Sequence, residues 1–363
     1  MFSATGICVA HAEFSKPLPE EISQLIFHFA PKIDEFKLAL LSTFAPPNPA
    51  TTRSNWRRLK AFGNDAPLTE VLRNVLEEAD FRCQKCRGSL RINIDHVDDN
   101  NKNHEANNLQ VLCTKCNIKK ANKGIKNEDA QFVIYSEFWN LCVSLNRVPE
   151  TRELASHIKR NYPFQNRPLA GYLHLYRFLV FRYNNPVKPP DDYEKFTIFL
   201  NQLIEILEIS EDEIKRAILS KCTPPDEYSK VSNWRNDKNY GNSAPDASII
   251  RRVFQKSGYK CNICKSVTSF TVDHIDSNPK NHSEDNLQLL CLLCNRDKSA
   301  KPIKIRYFKV KIYDLIIHHF LENNKILTRR EVIEGISGCS QLGGEIHFRH
   351  FLEKRLLTFC KNK

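Results

Sequence analysis

Residues 83–120 read CQKCRGSLRINIDHVDDNNKNHEANNLQVLCTKCNIKK, and residues 261–298 read CNICKSVTSFTVDHIDSNPKNHSEDNLQLLCLLCNRDK. The second stretch repeats the first in a constant register of 178 positions, so that Cys83, Cys86, Cys113 and Cys116 return as Cys261, Cys264, Cys291 and Cys294. Two C-x-x-C knuckles satisfy tetrahedral zinc with four thiolates. The metal then closes the segment between them into a short β-hairpin. The pattern predicts strands over Arg91–His96 and Leu109–Leu112, and over Phe270–His274 and Leu287–Leu290. Short helices follow, from Thr114 to about Asn122 and from Leu292 to about Ala300.

The repeat extends outward from this core. Ser54-Asn55-Trp56-Arg57, Gly63-Asn64 and Ala66-Pro67 match Ser232-Asn233-Trp234-Arg235, Gly241-Asn242 and Ala244-Pro245. Upstream, Asp34-Glu35 and Leu41-Ser42 match Asp212-Glu213 and Leu219-Ser220 within apolar-periodic helical stretches. Downstream, Arg152-Glu153-Leu154 matches Arg330-Glu331-Val332, and Leu169 matches Leu342 at an offset reduced to 173, which marks a loop with a deletion. Residues 186–192 are rich in proline and small polar residues and read as a linker.

The expected organisation is a first unit over 1–185 and a second over 193–363, with cores at about 81–124 and 259–302. Each core is followed by a closing helical module, at about 130–183 and 305–360, with a three-helix, helix-turn-helix-like character. The expected fold class is α+β: two tandem zinc-stapled modules in mostly helical surroundings, related by a pseudo-two-fold axis.

At 363 residues and 41% hydrophobic, the chain can fill real cores, which excludes a disordered protein. Fifty-four Lys and Arg against 42 Asp and Glu give a net charge of +12, a balance that favours a polyanionic partner. The first residues lack the pattern of a secretory signal and no stretch reaches membrane-spanning length, so a cytoplasmic protein with no membrane partner is expected. In that setting, eight of 13 cysteines in paired spacing argue for metal thiolates over disulfides. Cys8, Cys142, Cys222, Cys339 and Cys360 are expected to serve as small apolar residues.

Four thiolates fill the zinc coordination sphere and leave no position for a reacting water, so both zinc ions are structural. Chemistry must come from the residues they position. Asp95-His96 and Asp273-His274 each end a predicted strand, and Asn117 and Asn295 directly follow the last cysteine of each set. One carboxylate and one amide oxygen, completed by water and phosphate, suit a hard cation such as Mg2+ or Mn2+. A histidine beside it can take a proton from water near neutral pH.

The pattern C-x-x-C, D-H, N-L-Q, L-C-x-x-C-N-x-x-K resembles the HNH endonucleases, whose site is the ββα-metal fold, in the version stapled by a four-cysteine zinc. The third letter is Asn rather than His, and the loop after the histidine resembles the phage-type D-H-I-D-x-N-x-x-N pattern. The resemblance implies that His96 and His274 are general bases, and that Asn108 and Asn286 brace the loop and orient them. It implies that Asp95 with Asn117, and Asp273 with Asn295, ligate the catalytic ion. The implied reaction is phosphodiester hydrolysis leaving a 5′-phosphate and a 3′-hydroxyl. His104 and His282, eight positions beyond the bases, are expected to cap or brace the loop rather than react.

Two sites in one chain suggest a covalent pseudo-dimer, active as a monomer, that cuts one strand of double-stranded DNA with each half. A type II restriction endonuclease is the leading expectation. A homing, phage-borne or junction-resolving nuclease would use the same chemistry, and a tandem zinc module that only binds DNA is the non-catalytic alternative. Lys120 and Lys298 stand where they would contact the phosphate or remain solvated. Trp56 and Trp234, with Arg57, Arg58, Lys60, Arg235 and Lys238, are candidate DNA readers, as are Arg152, Arg160, Arg329 and Arg330 in the closing helices. Each tryptophan has the competing reading of a core anchor.

Overall fold

The computed structural model describes residues 18–29, 33–120, 127–162, 170–185, 193–237, 240, 243–298, 304–336 and 346–361. The 186–192 linker, Lys238, Gly241, Asn242, Cys8, Cys339 and the Leu169–Leu342 comparison lie outside the described residues. The fold is mostly helical with two small antiparallel sheets, an α+β protein. The first half runs α1 (Glu20–Phe29), α2 (Ile33–Phe44), α3 (Pro49–Arg58), α4 (Thr69–Glu78), β1 (Ile92–His96), β2 (Leu109–Cys113), α5 (Thr114–Lys120), α6 (Asn127–Leu145), α7 (Thr151–Asn161) and α8 (Leu173–Asn184). The second half runs α9 (Tyr193–Ile206), α10 (Glu211–Cys222), α11 (Glu227–Arg235), α12 (Ala247–Lys256), β3 (Phe270–His274), β4 (Leu287–Cys291), α13 (Leu292–Lys298), α14 (Lys304–Asn323), α15 (Arg329–Gly335) and α16 (Ile346–Lys361).

Local sequence explains where these elements begin. Asn48 caps α3, accepting from the amides of Ala50 and Thr51, and Pro49 occupies a first-turn position where no amide proton is needed. Ser210 with Glu213, and Thr328 with Glu331, form reciprocal capping boxes at α10 and α15. In α4, Leu72, Val75 and Leu76 form a buried stripe, and in α12 Ile250, Val253 and Phe254 repeat it. Each helix lays that stripe on its half's hairpin.

The hairpins share one register. Ile92 faces Cys113 and His96 faces Leu109 in the first, and Phe270 faces Cys291 and His274 faces Leu287 in the second. Each hangs on the helix two elements upstream of its α4 or α12 stripe, since Arg91 donates its amide to Thr43 of α2 at 3.1 Å and Ser269 donates to Lys221 of α10 at 2.7 Å. The strands stop one residue later than sequence spacing predicts because Cys113 and Cys291 stay paired before the chain turns into α5 and α13.

The halves interlock. α2 and α10 pack against each other, α6 of the first half packs on α10 of the second, and α14 of the second packs on α2 of the first. Lys37 on α2 pairs with Asp314 on α14 at 3.3 Å, and Arg216 on α10 lies 4.4 Å over the Phe132 ring of α6. Arg182 on α8 reaches the Tyr259 carbonyl, and Arg355 on α16 reaches the Asp80 carbonyl; both arginines are about 1% exposed. One apolar core therefore runs through both halves.

Candidate active site

Each C-x-x-C knuckle turns through a residue of positive φ, Arg87 at 61° and Lys265 at 63°, whose amide bonds back to the carbonyl of Cys83 or Cys261. The turn gathers Cys83, Cys86, Cys113 and Cys116 in one cluster and Cys261, Cys264, Cys291 and Cys294 in another, with the sulfurs of each set within 4.8 Å of one another. Cys86 and Cys113 are 3.6 Å apart, as are Cys264 and Cys291. A tetrahedral zinc about 2.3 Å from each sulfur separates them by roughly 3.8 Å, so the spacing fits.

Protonation points the same way. A hydrogen bond from the Cys291 thiol holds Cys261 down to about 4 despite its burial, whereas burial pushes Cys116 up to about 11, with Cys86 and Cys83 adding to the rise and Cys113 opposing it. Four thiolates cannot ionise together in such a pocket without a cation. No disulfide joins the described cysteines; Cys142 and Cys222 are buried, and Cys360 is half-buried.

Along β1, Ile92, Ile94 and His96 face inward while Asn93 is exposed and Asp95 is half-buried; β3 repeats the alternation. The carboxylates thus turn toward α5 and α13, and the imidazoles turn toward the tryptophans. Gln110 Nε2 and Lys120 Nζ donate to Asp95 Oδ2 at 3.3 and 2.8 Å, and Gln288 and Lys298 do the same to Asp273 Oδ2 at 3.2 and 2.7 Å. Both ammonium groups also reach the carbonyl of the adjacent histidine. Lys120 makes a further ion pair with Asp99 at 2.6 Å, where the second half has Ser277.

Oδ1 of each aspartate has no hydrogen-bond partner among the described residues, which leaves an oxygen for a cation. Asn117 and Asn295 are half-buried on the first turn of the same helices, three residues before the lysines and on the same face. A carboxylate oxygen and an amide oxygen on facing elements fit a hard divalent ion.

His96 and His274 are 1% and 4% exposed. Their Nε2 atoms lie 3.1 and 3.0 Å from Nδ1 of His104 and His282. Burial, reinforced by the neighbouring imidazole, holds both rings below the usual histidine range, with the nearby aspartates pulling the other way. At neutral pH they are neutral, with a lone pair available.

Trp56 is 7% exposed and stacks on Phe62 at 4.8 Å, with His96 and His104 at 5.0 and 5.5 Å. Trp234 does the same with Tyr240, His274 and His282. Both tryptophans form an inner wall of the site. Arg57, Arg58, Lys60 and Arg235 are exposed on or beside the same helices.

Asn108 ties the loop after the histidine. Its Oδ1 accepts the Asp98 amide at 3.1 Å, and its Nδ2 donates to Asp98 Oδ1 at 2.9 Å and to the Asn103 carbonyl at 2.8 Å. Asn286, Asp276 and Asn281 repeat the network. Donation from Asn103 and Asn108 keeps the Asp98 carboxyl below its usual range, and Asn281 and Asn286 do so for Asp276. Gln110, Gln288, Asp98, Asp276, Phe62 and Tyr240 carry no role in sequence reasoning, yet all hold the site. Their signal is recurrence at the 178-residue offset.

A third cluster, His174, Asp226 and Glu227, lies where α8 meets the start of α11. Glu227 Oε1 accepts from Arg177 at 2.8 Å and from Arg251 at 3.1 Å, so guanidinium groups already meet its charge. It is a buried ion cluster at the seam between halves.

No described helix is long and apolar enough to cross a membrane. Searches of the curated proteins and of the solved structures found no match. A family model does match: residues 261–301 fit HNH endonuclease, over the segment that builds the second cysteine cluster, β3, β4 and α13. That part of the chain is therefore similar to an HNH endonuclease domain, and the match supports a nuclease function in general.

Proposed function

We propose that the protein is a metal-dependent, sequence-specific DNA endonuclease with one HNH site in each half, which together make a double-strand break. A type II restriction endonuclease acting in the cytoplasm is the role this reading favours. The observation that carries it is the double occurrence of one constellation: Asp95, His96, Asn108, Gln110 and Lys120 make the same hydrogen bonds as Asp273, His274, Asn286, Gln288 and Lys298. A regulator that only binds DNA has no use for a neutral, buried imidazole beside a half-open carboxylate in both halves.

Asp95 with Asn117, and Asp273 with Asn295, would hold Mg2+ or Mn2+. When bound, such an ion polarises the scissile phosphate and steadies the leaving 3′ oxygen. His96 and His274 accept a proton from the attacking water. Asn108 and Asn286 keep the loop, and with it the imidazole, in place. Lys120 and Lys298 sit close enough to the carboxylates to turn toward a phosphate once a divalent ion takes over those oxygens.

The interlocked packing supports a pseudo-two-fold relation, because α6 on α10 and α14 on α2 are equivalent pairs under the repeat, and Arg182 and Arg355, matched at the 173 offset, each reach a carbonyl of the opposite half, that of Tyr259 and that of Asp80, one position apart in the repeat. A single chain would thereby face both strands of double-stranded DNA as a symmetric dimer does. The exposed Arg57 and Arg235, beside Trp56 and Trp234, belong to the DNA-contacting surface in this reading.

The test is incubation of the purified chain, zinc-loaded and with Mg2+ or Mn2+, with supercoiled plasmids and phage genomes of varied sequence. Discrete linear fragments are expected. DNA that stays intact throughout while still being retarded in a gel would replace this reading with the non-catalytic one.

A further inference from the structure

We propose that His104 and His282 are positioning residues that fix the tautomer of the imidazole beside them, so that Nδ1 of His96 and of His274 is the nitrogen that receives the proton from water. The catalytic consequence rests on the endonuclease reading above, whereas the tautomer rests on hydrogen-bond direction alone.

A single proton lies between His96 Nε2 and His104 Nδ1, and the far side of His104 decides which nitrogen owns it. His104 Nε2 is 3.1 Å from the Phe62 carbonyl oxygen, a group that only accepts. His104 must therefore carry its hydrogen on Nε2. A neutral imidazole has one N–H, so His104 Nδ1 is an acceptor and His96 Nε2 is the donor to it. That leaves His96 Nδ1 as a bare lone pair. This nitrogen has no hydrogen-bond partner among the described residues and is not among the sealed, unpaired nitrogens of the fold.

The second half reaches the same polarity with different atoms. His282 Nε2 is 3.0 Å from the Ser243 hydroxyl, a group that can donate or accept. Ser243, however, spends its one hydrogen on the Tyr240 carbonyl at 3.1 Å. Its oxygen then accepts from His282 Nε2, His282 Nδ1 accepts from His274 Nε2, and His274 Nδ1 is left bare. Two unlike endings, a carbonyl at one site and a hydroxyl pinned by a carbonyl at the other, impose one direction on the chain of hydrogen bonds.

The rings are also kept from turning over. Trp56 lies within 5.5 Å of both imidazoles in the first half, and Trp234 does so in the second. Rotating His96 about its Cβ–Cγ bond would break the bond to His104 and still leave the ring between the same walls.

Two measurements test the proposal on the full, zinc-loaded chain. The first is an imidazole nitrogen spectrum of the 15N-histidine-labelled protein without DNA. A protonated Nε2 and an unprotonated Nδ1 are expected for His96 and His274; a proton on Nδ1 of either would overturn the assignment whatever the protein's activity.

The second uses a His274→Ala background, in which plasmid nicking reports the first site alone. His104→Phe keeps the stack on Trp56 but removes the acceptor, and is expected to lower kcat roughly 10- to 100-fold with KM unchanged. His104→Asn restores an acceptor oxygen near the lost Nδ1 and is expected to recover much of that rate. A His104→Phe chain nicking at the background rate would sink the positioning role. A background chain that does not nick at all counts against the endonuclease reading instead, and the spectrum still decides the tautomer.

Discussion

Arg182, on the closing helix of the first half, donates through Nη2 to the carbonyl oxygen of Tyr259 in the second half at 3.0 Å. The guanidinium is almost fully buried and lies over the rings of Phe178 and Phe181 at 5.4 and 5.8 Å. Burial draws it down to about 10, which still leaves it charged at neutral pH. Arg182→Ala would leave the Tyr259 carbonyl unpaired and open a cavity beneath two aromatic rings. A loss of roughly 2–4 kcal/mol is expected from denaturant unfolding. An unchanged midpoint would show that the two halves do not share a core at this point.

Metal content should separate structure from chemistry. Two zinc ions per chain are expected, and Cys261→Ser should remove one of them. Structural zinc in small modules contributes roughly 10–16 kcal/mol of apparent binding energy, so chelation should collapse the hairpins and lower the melting temperature steeply. A Cys261→Ser chain that still carries two zinc ions would mean that the four sulfurs do not share one ion.

The division of labour between sites is tested by cutting. His96→Ala or His274→Ala should convert linear product into nicked circles, and the double variant should yield neither. Loss of a general base is expected to slow its strand by about 10²- to 10⁴-fold. If either single variant linearises plasmid at the parent rate, one site is cutting both strands.

Acid stability should be set in part by two capping carboxylates. Glu153 and Glu331 each accept the amide at the start of their helix at 2.6 Å. Arg147, then the Glu150 amide, hold Glu153 at about 2, and the Thr328 amide and hydroxyl, then Lys325, hold Glu331 at about 2. Both folded values lie below the ordinary 4.5, so their stabilisation is complete above that pH and is lost as the pH falls toward 2. Unfolding midpoints measured down this range should fall less steeply for a Glu153→Gln, Glu331→Gln chain. Parallel slopes would show that other groups govern acid unfolding.

The hairpins and knuckles were legible because a thiolate tetrahedron and a period of two leave few alternatives for Cys83–Cys116 or Cys261–Cys294. Asp95 and His96 could be placed at a strand end for the same reason. What their side chains face was harder to read. That Lys120 turns in to Asp95 rather than out to solvent depends on how α5 tilts on the hairpin, a packing detail with no sequence mark. Trp56 could be read as a DNA contact or as a core anchor until the Phe62, His96 and His104 rings were seen around it. The crossing of α6 and α14 onto the opposite half was invisible, since apolar periodicity identifies a face to be covered and says nothing about which helix covers it.

The seam carries a consequence of its own under the proposed two-fold relation. Glu227 is 2% exposed and meets Arg177 from the other half, but Asn48 and Pro49 stand where Asp226 and Glu227 would recur, and His350 stands where Arg177 would. At that second position His350 meets Glu77 instead. Two copies of the second half would bury Glu227 without the Arg177 guanidinium, and two copies of the first would strand Arg177 without its acid. The halves are matched as unlike partners, so a polypeptide severed between them should reassemble only as a mixed pair, each fragment rejecting its own twin.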